Sequence, residues 1–92
     1  MIEETVEVVN PSGLHARSAK ELVERAGNYE ATVTLKHDEV EANADSIMEV
    51  MMLAASPGTQ IELEIDGPDE EAAAEELIDF FAEGFYENES NV

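Results

Sequence analysis

The sequence predicts an α+β domain in which amphipathic helices cover one face of a mainly antiparallel sheet. Apolar and polar residues alternate in several short segments, such as Ile61–Asp66, and a period of two is typical of strands with one wet face. Other segments, such as Ala16–Ala26, space their apolar residues three and four apart, which is the period of a one-sided helix. Together these patterns predict an open-faced β-sandwich with the element order β-α-β-β-α-β-α.

A dense turn signal separates the first strand from the first helix. Residues Ile2–Val9 alternate and predict a strand, and Asn10–Gly13 predicts the turn that follows it. Helical spacing begins at Ala16, and Gly27 is a natural stop. Ser18 also opens a capping-box pattern, so the sequence leaves a helix start at Ser18 open.

The rest of the chain supplies three strands and two helices. In order, these are a strand over 29–35, a turn at 37–39, a strand around Val40 and Ala42, a short helix from Ser46 through Leu53, a strand over 61–65, and a last helix with Ala74, Leu77, Ile78 and Phe81 on one face. No repeat or linker interrupts this order. We therefore expect one domain over residues 1–88 and a polar tail over 89–92. His37, in the turn, is expected to face solvent.

The net charge of the chain limits the classes of partner that it could bind. The chain has 23 Asp and Glu against 4 Lys and Arg, a net charge of −19, yet 43% of its residues are hydrophobic and periodic, unlike a disordered acidic tail. Nucleic-acid binding is not expected, because few cations could neutralise backbone phosphates. Two interpretations of the acidity stay open: adaptation to a salt-rich cytosol, or docking on a basic partner. The spread of the acids along the whole chain favours the first.

Several function classes are disfavoured by what the sequence lacks. Cysteine is absent, which excludes disulfides, thiolate metal sites and cysteine nucleophiles. No apolar run approaches the roughly 18–20 residues of a membrane span, and the acidic N-terminus is unlike a signal peptide. No paired-carboxylate or nucleophile–base pattern stands out. We expect a cytoplasmic protein that is not an enzyme, with no cofactor, metal site or membrane insertion, and with its function on the surface.

His15 is the candidate for chemistry. It lies after the glycine-containing turn, at the mouth of the first helix, where unpaired N–H groups and the helix dipole favour an anion. A phosphoryl group on its imidazole would lie near the amides of Ala16 and Arg17, and the Arg17 guanidinium matches phosphate oxygens. Arg17, Lys20 and Arg25, three of the four basic residues, follow in this helix. By spacing alone, a plain cap or surface histidine stays open.

Several segments resemble the HPr family, the histidine phosphocarriers of the phosphoenolpyruvate-dependent sugar phosphotransferase system. Gly13–Arg17 is similar to the phosphorylation-site signature and Asp45–Met51 to the second motif; the Gly67 region and Glu83–Phe85 also fit, so the similarity spans residues 2–87. The resemblance implies four antiparallel strands in the order 1-4-2-3 with three helices on one face.

The same resemblance implies a cycle and its residues. Nδ1 of His15 would accept a phosphoryl group from phospho-Enzyme I and pass it to the A-domain of a sugar permease. Arg17, the helix amides from Ala16 onward and Ser12 would hold the phosphoryl oxygens. Partners of the family dock on the first two helices, and the candidate contacts are Ala16, Lys20, Ile47, Met48 and Met51. For the methionines, a place in the core stays an equal alternative. We expect a monomer.

Two departures from the family pattern affect these expectations. Ser18 stands where the family usually has proline, which suggests a looser helix start. Asp45 stands where regulated members are usually basic, so we expect Ser46 to be a helix cap and not a regulatory phosphorylation site. Two other functions stay open: a regulatory paralogue that binds a sensor or transcription factor, and a carrier for a dihydroxyacetone kinase component or nitrogen-linked signalling.

Overall fold

The computed structural model describes residues 1–53 and 55–86 and contains the seven predicted elements in the predicted order. They are β1 (Ile2–Glu7), α1 (Ala16–Ala26), β2 (Thr32–His37), β3 (Val40–Asn43), α2 (Ile47–Met52), β4 (Gln60–Asp66) and α3 (Glu70–Ala82). The expected domain end at residue 88 and the polar tail over 89–92 lie outside the described residues. Within the described ranges, no helix is long and apolar enough to cross a membrane.

The four strands form one antiparallel sheet in the order β1-β4-β2-β3, which confirms the expected 1-4-2-3 topology. β4 lies between β1 and β2, with Ile65 opposite both Ile2 and Val33. Its alternation is the predicted one, because Ile61, Leu63 and Ile65 are fully buried while the residues between them face outward. The helices cover the apolar face, and the sandwich is therefore open on its acidic side.

The core lies between the sheet and the three helices. Its largest fully buried side chains come from every layer: Leu22 of α1, Leu35 of β2, Val50 of α2, Leu63 of β4 and Phe80 of α3. Phe80 also packs on Phe85, just after α3, with 5.1 Å between ring centroids. Because each helix contributes to one shared core, the ends of the helices are held in fixed positions relative to one another.

Two strand boundaries and the exposure of one residue differ from the predicted ones. β1 ends at Glu7, since Val8 instead bonds to the loop before β4: its N–H donates to the Thr59 carbonyl at 2.9 Å and its carbonyl accepts from the Gly58 N–H at 2.7 Å. β2 begins at Thr32, three residues later than predicted. His37 is half-buried rather than exposed, with Nδ1 3.3 Å from the Gln60 carbonyl.

Arg25 fastens the C-terminal end of α1 to α3. Its Nη1 lies 3.1 Å from Oε2 of Glu76, and its guanidinium stacks over the Phe80 ring at 4.5 Å. The Tyr29 hydroxyl donates to the same Glu76 carboxylate, and this hydrogen bond raises the pKa of Tyr29. The flank of α1 that carries Arg25 therefore faces α3.

The turn before α1 depends on a glycine. Gly13 has a φ of +71°, in the left-handed region, and a Cβ there would lie 2.6 Å from the carbonyl oxygen of Ala55. That carbonyl accepts a hydrogen bond from the Leu14 N–H at 2.8 Å, and the Asn10 side-chain amide donates to the Gly13 carbonyl at 2.7 Å. The close approach ties the start of α1 to the loop after α2.

We expect Gly13→Ala to lower the free energy of unfolding by more than the cost of placing an alanine at a positive φ. The control is Gly58→Ala, because Gly58 has a φ of +90° but a Cβ there meets nothing within 4 Å. The control should lose about 1–2 kcal/mol, the usual cost of a left-handed alanine. Gly13→Ala should lose clearly more in urea unfolding, because the new Cβ also displaces the Ala55 carbonyl. Equal losses would contradict this account of the turn.

The net charge of −19 predicts a stability that rises with salt. At 0.1 M salt the Debye length is about 10 Å and at 1 M about 3 Å, so added salt screens the carboxylates that repel one another in the compact state. We expect the melting temperature to rise by about 5–15 °C between dilute buffer and 1 M KCl, most steeply at the dilute end. The helical circular-dichroism signal should strengthen over the same range. A thermal scan with a flat or falling melting point would instead favour the docking interpretation of the acidity.

Candidate functional site

His15 is the N-cap residue of α1. Its backbone is extended, with φ −130° and ψ −174°, and its side chain turns back over the first turn of the helix. Nδ1 accepts a hydrogen bond from the Arg17 N–H at 3.3 Å, and the imidazole also accepts from the Ser18 N–H. An atom that accepts these bonds carries no proton, so neutral His15 has its hydrogen on Nε2. The lone pair of Nδ1 thus faces the positive end of α1.

Ser18 holds the backbone of His15 in this position. Its buried hydroxyl accepts from the His15 N–H at 2.9 Å and donates to the His15 carbonyl at 3.1 Å. With the bond from the Ser18 N–H to the ring, this is a reciprocal capping box. The helix therefore starts at Ala16, and the alternative start at Ser18 is wrong. Where the family usually has proline, this chain has a serine that restrains the helix start through hydrogen bonds.

The first turn of α1 differs electrostatically from those of the other helices. It contains no acidic residue, whereas α2 has Glu49 and α3 has Glu70 and Glu71 at the same place. Residues 8–20 contain no Asp or Glu at all, in a chain that has 23 of them. The positive end of this helix dipole is therefore not neutralised by a neighbouring carboxylate, and an anion bound at His15 would meet no negative side chain of the first turn.

The three cations of α1 have different surroundings. Arg17 is 63% exposed, and its Nε lies 3.9 Å from Oε1 of Glu21 rather than at the imidazole. Lys20 is exposed one turn from Ala16. Arg25 lies ten residues from His15, about 15 Å along the axis, and is bound to Glu76. Arg25 therefore binds α1 to α3 instead of contributing to the positive charge beside His15, a difference that its place in the sequence does not reveal.

Two other predicted site residues, Ser12 and Ala16, lie close to His15 in sequence. Ser12 is exposed in the turn before α1, and Ala16 is exposed as the first residue of the helix. The backbone N–H of Ala16 belongs to the first turn, where the helix supplies no carbonyl partner.

The second helix presents an apolar surface. Met48 and Met52 expose 74% and 69% of their area, and Ile47 and Met51 each expose more than a third. Val50 and Leu53 enter the core instead. The alternative that Met48, Met51 and Met52 are core residues is therefore wrong, and Met52 extends the exposed set beyond the docking contacts that the sequence indicated. We call Ile47, Met48, Met51 and Met52 the α2 patch.

Ser46 caps the second helix. Its Oγ accepts from the Glu49 N–H at 3.2 Å, and the Glu49 side chain turns back to accept from the Asn43 N–H at 3.1 Å. Asp45 beside it is exposed. The expectation of a helix cap at Ser46 is met, and its hydroxyl oxygen is engaged in starting α2.

A separate acidic cluster lies on the open face of the sheet. In the part of the chain that the structure describes, Glu3, Glu62 and Glu64 are the group whose oxygens come close enough to share a metal ion. Nζ of Lys36 is 2.8 Å from Oε2 of Glu64, and this carboxylate raises the pKa of the lysine. A lysine thus already neutralises part of the cluster, which lies on the face opposite the helices.

Known proteins share both the sequence and the fold of this chain. The family model described as "PTS HPr component phosphorylation site" matches residues 2–83. The phosphocarrier protein HPr of Cupriavidus necator is 40% identical over 97% of this chain and 100% of its own length. The phosphocarrier protein NPr of Escherichia coli K12 is 42% identical over 95% of this chain and 98% of its own.

A crystal structure of HPr from Thermoanaerobacter tengcongensis superposes with a TM-score of 0.89 at 38% identity, covering 95% of this chain and 98% of that one. Sequence and fold therefore agree over nearly the whole length. The relatives are named phosphocarriers, proteins that carry a phosphoryl group stoichiometrically and are not enzymes. This chain belongs to the HPr family of phosphocarrier proteins.

Proposed function

We propose that this chain accepts a phosphoryl group on Nδ1 of His15 from phospho-Enzyme I and passes it to the A-domain of a sugar permease. The observation that carries the proposal is the direction of the imidazole: Nδ1 faces the amides of Arg17 and Ser18 at a helix N-terminus without acidic residues in its first turn. Family membership supplies the reaction class. We also propose a cytoplasmic location, where phosphoenolpyruvate and these partners would be found.

The transfer exchanges one P–N bond for another. The lone pair of Nδ1 attacks the phosphorus of the donor's phosphohistidine, the donor P–N bond breaks, and its electron pair returns to the donor ring. Once Nδ1 is bonded to phosphorus it no longer accepts from the Arg17 and Ser18 N–H groups. Those donors can then turn to the phosphoryl oxygens, so the same amides serve both states with little rearrangement.

Side chains around the ring complete the phosphoryl site in this proposal. The Arg17 guanidinium, exposed on a flexible side chain, would move to the oxygens of the transferring group. Its planar fork of N–H donors matches the geometry of phosphate oxygens. The Ala16 N–H and the Ser12 hydroxyl would add neutral donors. Stabilisation of charge that develops during transfer is the usual source of rate in such reactions.

The partners would dock on α1 and the α2 patch. Ala16 lies nine residues before Arg25, which at about 100° per residue is half a turn around the helix, so Ala16 and Lys20 lie on the flank away from α3. An exposed methionine-rich surface next to the reactive residue suits contact with different partners in turn, because methionine adapts its shape. His15, Arg17 and the α2 patch all belong to one chain, so we propose that the monomer is the active form.

The residues around this surface also constrain the partner. Glu21 and Asp45 are at least partly exposed on or next to the two helices, so a matching partner surface would carry basic residues around an apolar centre. We further propose that Ser46 is not a regulatory phosphorylation site. Its oxygen caps α2, and Asp45 would repel both an incoming phosphate and an acidic kinase surface.

Phosphoenolpyruvate and Enzyme I should place one phosphoryl group on His15. His15→Ala should abolish labelling, and His37→Ala, which removes the other histidine, should leave it unchanged. The adduct should be acid-labile and alkali-stable, as a phosphoramidate is. The labelled protein would then be offered to a permease A-domain and to a dihydroxyacetone kinase component in parallel; we expect transfer to the former. Labelling of His15→Ala to the wild-type level, or no transfer to either acceptor, would contradict the proposal.

Arg17→Ala should slow transfer by about 10²-fold or more, because it removes a charge-stabilising donor. Its effect on the KM for phospho-Enzyme I should be small. The comparison is Lys20→Ala, which lies on the docking surface and should raise KM while leaving kcat within about threefold. Stopped-flow or quench measurements in both directions separate the two constants. Unchanged rates for Arg17→Ala would remove this residue from the mechanism.

A further inference from the structure

In the unphosphorylated protein, the backbone and the side chain of Arg17 contact different residues. Its backbone N–H donates to Nδ1 of His15 at 3.3 Å, while its side chain points one turn along the helix, where Nε lies 3.9 Å from Oε1 of Glu21. The arginine is 63% exposed and the glutamate 37%. The guanidinium that the proposed mechanism needs at the phosphoryl group is thus beside a carboxylate when that group is absent.

Glu21 is also the nearest acidic residue to the site along the chain. It is the first Asp or Glu after Glu7, since residues 8–20 contain neither. It lies six residues beyond His15, about 9 Å along the helix axis, a distance close to the Debye length of about 8 Å at physiological salt. A carboxylate in this position acts on a phosphoryl group in two ways: it repels the new negative charge, and it competes for the same guanidinium.

We propose that Glu21 sets the phosphoryl-transfer potential of His15 by competing with the phosphoryl group for Arg17. The inference rests on the proposed function. In the unphosphorylated state the Arg17–Glu21 pair is satisfied. On phosphorylation, a group with a charge of about −1.5 to −2 draws the guanidinium away, and Glu21 loses its partner. The phosphorylated state is therefore less stable, relative to the unphosphorylated one, than it would be without Glu21.

Such a device suits a carrier, because a carrier has to release the group that it accepts. A helix N-terminus with unopposed amides and a free arginine would hold a phosphoryl group tightly and donate it poorly. Glu21 offsets part of this stabilisation and moves the equilibria with donor and acceptor closer to balance. Exposed ion pairs at this spacing shift equilibria by about 1.5- to 5-fold, which sets the size of the expected effect.

The test is the equilibrium constant for phosphoryl exchange with Enzyme I, approached from both sides and measured by ³¹P NMR or radiolabel. Glu21→Gln should shift it toward the phosphorylated protein by about 2- to 5-fold. The matched control is Glu24→Gln, which removes one carboxylate from the same helix but lies seven residues, about 10 Å, from Arg17. The control should shift the constant by less than about 1.5-fold. Melting temperatures of both variants report on folding separately.

A second comparison isolates the route through Arg17. In an Arg17→Ala background, Glu21→Gln should change the equilibrium constant by less than about 1.5-fold, because the competition for the guanidinium is gone and only the screened repulsion remains. An unchanged constant in the single variant, an equal shift in Glu24→Gln, or a full shift in the Arg17→Ala background would each overturn the proposal. These outcomes leave the carrier function standing, whereas a wild-type protein that is never labelled on His15 overturns both.

Discussion

The hydrogen bonds from the first amides of α1 to the imidazole of His15 are the interaction on which the rest of the site depends. They set the tautomer, direct Nδ1 along the helix axis, and keep the ring at the positive end of the dipole. They require an extended backbone at the N-cap, which the Ser18 hydroxyl holds from within the helix. They also require the sharp turn at Gly13, whose contact with Ala55 positions the helix start on the core.

The local pattern of the sequence was sufficient to predict the helices and strands, but not which side chains contact one another. Apolar spacing decides which face is buried, so the order of strands and helices follows from it, and the order 1-4-2-3 followed from the family resemblance. The position of His15 at a helix mouth is equally local, since the turn at Gly13 and the capping residues are neighbours in sequence. Boundaries moved where Val8 pairs with a distant loop and at the start of β2, which begins at Thr32.

The parts that could not be predicted depend on contacts between distant residues or on rotamers. In the sequence, Arg25 resembles a third cation near His15. In the structure it binds Glu76 of α3, which is 51 residues further along the chain. The three methionines of α2 lie in a six-residue helix in which five residues are apolar. So short a helix has no clear apolar period, and the sequence therefore does not show which side faces the core. The choice of Arg17 between His15 and Glu21 is a rotamer of an exposed side chain, which no spacing rule determines.

The distribution of charge connects the surface of this protein with its chemistry. A chain with a net charge of −19 opposes any further negative charge, and a phosphoryl group on histidine adds more. Residues 8–20 contain no carboxylates, which lowers that opposition at the helix mouth, and in the proposed function Arg17 and the amides would supply the attraction. The acids resume at Glu21, beside the arginine that we propose follows the phosphoryl group. In the proposed function, attraction at the ring and competition one turn away would together set how firmly the group is held, and a carrier works only where neither of them dominates.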